Sequence, residues 1–212
     1  LLRPDGTEYR AFVRGLVETH DGIELEFRAK PLPYLEIGGL VSIGDWRWDN
    51  DVDAEILDEN TNEVIDSMHI YSAGLKVSDA PQTQFGLQAR MDLPKNFRMG
   101  ASYVYNMNLY AQFEIDQDRD DESRIGMQPV QLEDYGYLDA NLSWNTRARG
   151  LDVRLGLNIQ NAMNTIYMNE ADETWITNPQ TGVKEQGTVE NGQLEGYWSY
   201  GRTVSFSVKI GF

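Results

Sequence analysis

The stretch TVSFSVKIGF, residues 203–212, decides the fold class. Its apolar residues recur at every second position, as Val204, Phe206, Val208, Ile210 and Phe212. The residues between them are serine, lysine and glycine. A period of two indicates a β-strand with one apolar face. That face could cover the core of a soluble sandwich or meet lipid in a barrel wall, and alternation alone does not choose between them.

The same alternation recurs along most of the chain. The strands that these runs predict have roughly 9 to 13 residues, whereas strands of soluble proteins most often have about 5 or 6 and membrane-crossing strands about 9 to 11. No segment has a convincing helical period. The alternating runs are 23–30, 35–44, 85–92, 99–109, 138–145 and 151–160, and a weaker one, EYRAFVRGLV at 8–17, makes eight with the closing strand.

The connections between these runs alternate in length. Short turns rich in proline, asparagine or glycine occupy 31–34, 93–96 and 146–150. The other connections are long, at roughly 48–82, 111–135 and 163–198. Short turns at one end and long loops at the other are typical of outer-membrane barrels.

The charge is concentrated in the long connections. The chain has a net charge of −16, no cysteine and two histidines. Segment 49–67 alone holds eight acidic side chains and no basic one. This composition argues against a nucleic-acid partner, a thiolate metal site or a cysteine nucleophile, and no catalytic constellation emerges.

These observations favour an all-β protein, an antiparallel transmembrane β-barrel. Its apolar side chains would face lipid, and its polar side chains would face the lumen. Two alternatives stay open. One is a complete small barrel of eight strands with a structural or adhesive role, and the other is a soluble β-sandwich that binds carbohydrate.

Several stretches, in order, resemble the C-terminal end of TonB-dependent receptors, especially those of Bacteroidetes-type bacteria, with the SusC-like glycan importers as one candidate branch. They cover the chain from about residue 9 to residue 212. The quoted stretches are RGLVETHDGIELEFRAKP, LEIGGLVSIGDWRWDNDV, GLKVSDAPQTQFGLQARM, FRMGASYVYNMNLYAQF, YLDANLSW, LDVRLGLNIQNAMNTIYMNEAD and YGRTVSFSVKIGF.

The resemblance implies that residues 1–212 supply about the last eight strands of a 22-stranded barrel, with the plug domain and the TonB-contacting segment outside this chain. Such receptors are not enzymes. They import a bulky ligand, such as an iron chelate, cobalamin, an oligosaccharide or a peptide, with energy passed through TonB. The acidic loops would be extracellular and the C-terminus periplasmic.

The resemblance also implies partners. These would be the remainder of the barrel and plug, the TonB complex, the barrel-assembly machinery, the lipid bilayer with its lipopolysaccharide and, in the SusC-like case, a surface lipoprotein. Phe206, Val208, Ile210 and Phe212 would form the assembly signal of the closing strand.

Three tryptophans are candidate ligand contacts. Trp46 and Trp48 follow an apolar strand, where they could stack on a ligand or belong to the aromatic girdle at the membrane interface. Trp175 could contact a ligand or anchor its own loop. A girdle or lipid-facing position is favoured for Tyr103, Tyr105, Tyr135, Tyr137, Trp144, Tyr197, Trp198 and Tyr200.

An acidic loop is a candidate metal site. Asp116, Asp118 and Asp120 alternate in DQDRDD, and oxygen-rich flexible loops suit calcium. An EF-hand would need a glycine where Asp121 stands. The alternative is a solvated acidic loop without a metal, and no other cofactor is expected.

Overall fold

A computed structural model describes residues 9–58, 60–78, 80–113 and 119–211. This part of the chain is almost entirely β-structure, with two short 3-10 turns at Pro94–Asn96 and Glu122–Arg124. It contains no helix with the length and apolarity needed to span a membrane. The strands are β1 Tyr9–Val13, β2 Glu18–Leu32, β3 Leu35–Trp48, β4 Val52–Asp58, β5 Val64–Ile70, β6 Thr83–Leu93, β7 Phe97–Met107, β8 Tyr135–Ala148, β9 Leu151–Gln160, β10 Met168–Asp172, β11 Trp175–Thr177, β12 Lys184–Gln186, β13 Glu195–Trp198 and β14 Thr203–Gly211.

The seven longest strands form one antiparallel sheet. Its order is β14-β9-β8-β7-β6-β3-β2, and neighbouring strands pair along most of their length. These strands have 9 to 15 residues. The predicted all-β, antiparallel fold with long strands is therefore confirmed. The sheet is open, with β2 and β14 at its edges.

The strand register gathers the apolar residues on one face. Leu87 and Phe206, on different strands of this face, have 62% and 67% of their surface exposed. Because side chains alternate between faces, each aligned row stays on one face across the sheet. One apolar row crosses all seven strands through Ala29, Ile37, Ala89, Ala101, Ala140, Ile159 and Val204.

The opposite face of the sheet is polar and internally paired. The Arg90 guanidinium contacts the Glu36 carboxylate at 2.8 Å, from the neighbouring strand. Gln84 Nε2 donates to Asn106 Oδ1 at 2.7 Å. Such pairs satisfy the hydrogen-bonding groups of this face across strand boundaries. The two faces thus differ in the way that the sequence predicted.

Short turns and long connections lie at opposite ends of the sheet. The β2–β3, β6–β7 and β8–β9 links are the short turns, as predicted, and the three other links are long. In the β8–β9 turn, Arg149 and Gly150 have φ of 52° and 86°. Two positive φ values in succession match the twist that antiparallel strands need at a two-residue turn.

The main sheet has seven strands where the sequence predicted eight. The weak run at 8–17 contributes β1, which pairs with β4 and not with β2 or β14. Asn50 holds this segment in place, because its side chain accepts the Val17 amide hydrogen at 2.9 Å and donates to the Gly15 carbonyl at 3.0 Å. Val13 packs on a buried core beside β4, which favours this position.

The described residues of the long connections, 49–58, 60–78, 80–82, 108–113, 119–134 and 161–202, form a packed layer that we call the cap. All the fully buried apolar side chains in the described part of the chain lie in the cap. One cluster centres on Val52, Ala54, Ile70, Leu75 and Phe113, and a second on Leu109, Ala111, Leu132, Met168 and Ala171. The cap therefore has its own hydrophobic cores, which loop composition alone did not predict.

Ile70 lies in the first cap core and is completely buried. We expect Ile70→Ala to destabilise the cap by about 2 to 5 kcal/mol, because it removes buried methyl groups and leaves a cavity. Amide hydrogen exchange of 49–82 would report the change as faster exchange. Ile65→Ala, on the same strand but 45% exposed, is the matched control. Equal exchange in the two variants would contradict the buried core.

Candidate functional site

Trp46 and Trp48 lie at the cap end of β3, on the polar side of the sheet. The Trp46 ring stacks on the His20 imidazole with centroids 5.0 Å apart. Trp48 packs edge-on against Phe113 at 5.6 Å and borders the first cap core. Trp48 thus joins the cap to the sheet. The predicted ligand contact of both tryptophans stays a prediction.

Trp175 lies in the third long connection, under two arginines. The Arg124 guanidinium carbon is 4.0 Å from the centroid of its ring, and that of Arg119 is 6.0 Å away. These are cation–π distances. The indole N–H is buried without a hydrogen-bond partner in the described part of the chain. The packing agrees with the loop-anchor alternative, while a ligand contact stays a prediction.

A buried ion pair connects the cap segments. Arg119 and Glu173 form a two-point contact in which Arg119 Nε donates to Glu173 Oε2 at 2.8 Å, and both side chains are 1% exposed. Gln186 Nε2 donates to Glu173 Oε1 at 2.8 Å, and the Arg119 carbonyl accepts the Tyr71 amide hydrogen at 3.0 Å. All three long connections therefore meet at Arg119.

The calcium candidates are only partly within the described residues. Asp116 and Asp118 lie outside them, and Asp120 is exposed to solvent. Among the described residues, no group of three histidines or acids is close enough to hold a metal ion. A calcium site in this loop stays a prediction.

The predicted assembly signal lies on the apolar face of β14. Phe206, Val208 and Ile210 pair with Leu157, Leu155 and Val153 of β9, and each is more than half exposed. Phe212 lies outside the described residues. A role of this segment in barrel assembly stays a prediction.

A cleft rich in aromatic side chains lies where the cap meets the polar face of β8, β9 and β14. It encloses about 670 Å³, a size typical of ligand sites. We call it the tyrosine cleft. Its aromatic lining consists of Tyr135, Tyr137, Tyr167, Tyr197, Trp198 and Tyr200, and its polar lining includes Asp139, Gln160, Asn161, Asn169, Glu170, Ser199 and Thr203.

Three tyrosines form a stack on one side of the tyrosine cleft. The rings of Tyr135 and Tyr167 are 3.8 Å apart and nearly parallel, and Tyr137 lies 5.9 Å from Tyr167. The backbone of Tyr167 is held from both directions, because its amide donates to Ser199 Oγ and its carbonyl accepts the Ser199 amide hydrogen at 2.8 Å. The stack is therefore preorganised.

A turn after β9 carries Tyr167 to this position. The Asn161 amide donates to Asp139 Oδ1 at 2.8 Å. The Asn161 side chain both accepts from the Thr165 amide at 3.0 Å and donates to the Thr165 carbonyl at 2.7 Å. Local side-chain hydrogen bonds of this kind fix a turn without regular structure.

Sequence reasoning misplaced two of these tyrosines. Tyr135 and Tyr137 were predicted at the girdle or facing lipid, but the register puts them on the polar face with Asp139. The alternation already contained the signal, since Leu138 and Ala140 belong to the apolar set and odd positions of this strand therefore lie on the polar face. Tyr167 could not be found this way because it lies in a loop.

The charged side chains that line the tyrosine cleft are all acidic. Asp139 and Glu170 are its two carboxylates, and no lysine, arginine or histidine is among its lining residues. Burial, and then the proximity of Tyr137 and Asp139, raise the pKa of Tyr167 above its ordinary value. The Tyr167 phenol therefore stays neutral at physiological pH. The arrangement can stack against a ligand and accept hydrogen bonds from it.

We expect Glu173→Gln to loosen the cap by about 3 to 5 kcal/mol, because it leaves the Arg119 charge buried without its counter-charge. Limited proteolysis should then cut within 119–190 at lower protease concentration than in the parent protein. Glu190→Gln removes an exposed carboxylate in the same connection and is the control. A proteolysis pattern unchanged by Glu173→Gln would contradict the importance of the pair.

Comparison with known proteins finds distant likeness in structure only. No protein-family description matches the sequence, and no curated protein matches it. The structure resembles that of the siderophore receptor PiuA from Acinetobacter baumannii, with a TM-score of 0.57 and 17% identity over 90% of this chain. The closed and open forms of the ferric-catecholate import receptor Fiu from E. coli K12 match at 13% identity over 92% and 90% of this chain, with lower TM-scores of 0.43 and 0.42.

The chain corresponds to part of these larger proteins. It covers 21% of the PiuA chain and 28% and 26% of the two Fiu chains. At 17% identity, the PiuA likeness concerns the fold alone. The chain has an all-β, antiparallel fold that resembles a segment of PiuA.

Proposed function

We propose that this chain forms part of the wall and the extracellular cap of an outer-membrane uptake receptor, which imports a bulky ligand with energy passed through TonB. The observation that carries the proposal is the exposed apolar face that continues across all seven strands of the main sheet. The role is transport and not catalysis.

Lipid is the surrounding that suits this face. Soluble monomers rarely expose an apolar surface that extends over a whole sheet. Inside a bilayer the same surface is favourable, provided that the backbone groups of every strand are paired with a neighbour. The polar face, with pairs such as Glu36 and Arg90, would then border the lumen.

The loop asymmetry supports one orientation. Outer-membrane barrels have long extracellular loops and short periplasmic turns. We therefore place the cap outside the cell, and the short turns and the end of β14 in the periplasm. Basic residues Lys95, Arg147 and Arg149 would lie at the periplasmic end, whereas the acidic side chains of the cap would meet the medium.

The open edges of the sheet support a larger barrel. β2 and β14 each leave one row of backbone groups without a partner strand among the described residues. In a bilayer these groups need further strands. We assign them to the remainder of a 22-stranded receptor barrel with its plug. A complete eight-stranded barrel is disfavoured because the sheet has seven strands and does not close.

The remaining assignments are proposals from the sequence resemblance. They are engagement of TonB through another part of the receptor, recognition of Phe206 to Phe212 by the barrel-assembly machinery, a Bacteroidetes-type origin and, for a SusC-like receptor, a surface lipoprotein partner. The candidate ligands are an iron chelate, cobalamin, an oligosaccharide and a peptide. PiuA is a siderophore receptor, which keeps iron chelates among them.

We expect Leu87→Arg to impair membrane assembly, because an arginine on the lipid face near the bilayer midplane costs about 2 to 4 kcal/mol. The measurement is the amount of heat-modifiable receptor in the outer-membrane fraction of the native bacterium. Gln88→Arg, one residue along the same strand but on the polar face, should assemble normally. Equal assembly of both variants would contradict a lipid-facing sheet.

We expect deletion of the gene to abolish growth on a bulky nutrient supplied as the only source of iron, cobalamin, carbon or amino acids. The same defect should occur in a strain that lacks TonB, because import through these receptors depends on it. Growth on every nutrient at the parental rate, or recovery of the protein in the soluble fraction, would refute the proposal.

A further inference from the structure

We propose that the tyrosine cleft binds the positively charged part of the imported ligand, an ammonium or guanidinium group, and disfavours anionic iron chelates. The inference rests on the proposed function, since the cleft would open to the lumen mouth of the receptor. It names a class of ligand that the fold alone does not determine.

Two exposed aromatic side chains line the tyrosine cleft. Trp198 and Tyr200 are 52% and 99% exposed, although large aromatic side chains usually bury most of their surface. Both line the same cleft as the stacked rings of Tyr135, Tyr167 and Tyr137. The faces of such rings carry negative potential and attract cations within about 6 Å.

The charged side chains that line the tyrosine cleft are both carboxylates. Asp139 and Glu170 line the cleft, and its lining contains no basic residue. The nearest arginine in sequence, Arg202, directs its guanidinium to the Ala162 carbonyl, at 3.4 Å from Nη1. Two carboxylates without a basic side chain in the same lining complement a cation and repel an anion.

The cap extends this charge over a larger area. Segment 168–198, which contributes Glu170 and Trp198 to the cleft, carries six acidic side chains and one basic side chain, Lys184. A single sign of charge around a binding cleft raises the local concentration of ligands of opposite sign and speeds their association. The acidic surface therefore favours both the approach of a cationic ligand and its binding in the cleft.

The test compares two matched probes on the assembled receptor, extracted from the outer membrane in a mild detergent. The first probe is N-acetylated, C-amidated tri-arginine, and the second is the same peptide with citrulline, which has nearly the shape of arginine without its charge. A third probe is the anionic ferric complex of 2,3-dihydroxybenzoate. Quenching of tryptophan and tyrosine fluorescence reports binding.

We expect the arginine peptide to bind at least about tenfold more tightly than the citrulline peptide at low salt, and the difference to shrink as salt screens the charges. The anionic complex should not compete. Equal affinity of the two peptides, or displacement of the arginine peptide by the ferric complex, would overturn the proposal.

Variants separate the cleft from general attraction to an acidic protein. Trp198→Leu and Tyr200→Leu keep the net charge. Each should lower the affinity for the arginine peptide by about two- to fivefold, because a cation–π contact is lost. Glu170→Gln should lower the affinity for the arginine peptide by about threefold or more, because it removes a negative charge from the cleft. Tyr34→Leu, at the short-turn end of the sheet, is the control. No effect of the cleft variants would mean that binding is non-specific, which also overturns the proposal.

The two proposals can fail separately. Suppose that the receptor assembles in the outer membrane and supports TonB-dependent growth but shows none of these preferences. The proposed function then stands, and the proposal of a cationic ligand is refuted. A protein found only in the soluble fraction removes the proposed function, whatever it binds.

Discussion

The pairing of long antiparallel strands in one register is the constraint on which the rest of this structure depends. Because side chains alternate along a strand, a shift of one residue would move a whole apolar row to the polar face. The row from Ala29 to Val204 keeps its character across seven strands only because every pair is aligned. The same alignment brings partners such as Glu36 and Arg90 together on the other face.

The division between sheet and cap follows from that constraint. The sheet exposes its apolar side chains, so it contributes none of the fully buried apolar residues of the described chain. The cap, exposed to water, instead needs cores of its own and builds them around residues such as Ile70 and Leu109. The buried Arg119–Glu173 pair then connects segments that the main sheet does not hold together.

The tyrosine cleft lies where the sheet and the cap meet. The register places Tyr135 and Tyr137 on the polar face of the sheet, and cap contacts hold Tyr167 against them. A site shared between a rigid sheet and an ordered loop can be preorganised while remaining open to solvent. Its carboxylates and exposed rings make charge, more than shape, the property expected to select a ligand.

Alternation, strand length and turn residues are local, so the sequence by itself determined the all-β fold, the apolar face and the sorting of short and long connections. The girdle position predicted for Tyr135 and Tyr137 differs from the structure, although their odd positions already indicated the polar face. Contacts between distant segments were not predictable in this way. Only the tertiary structure decided that β1 pairs with β4, that the acidic loops enclose hydrophobic cores and that Tyr167 stacks on Tyr135, because these depend on packing between residues far apart in the chain.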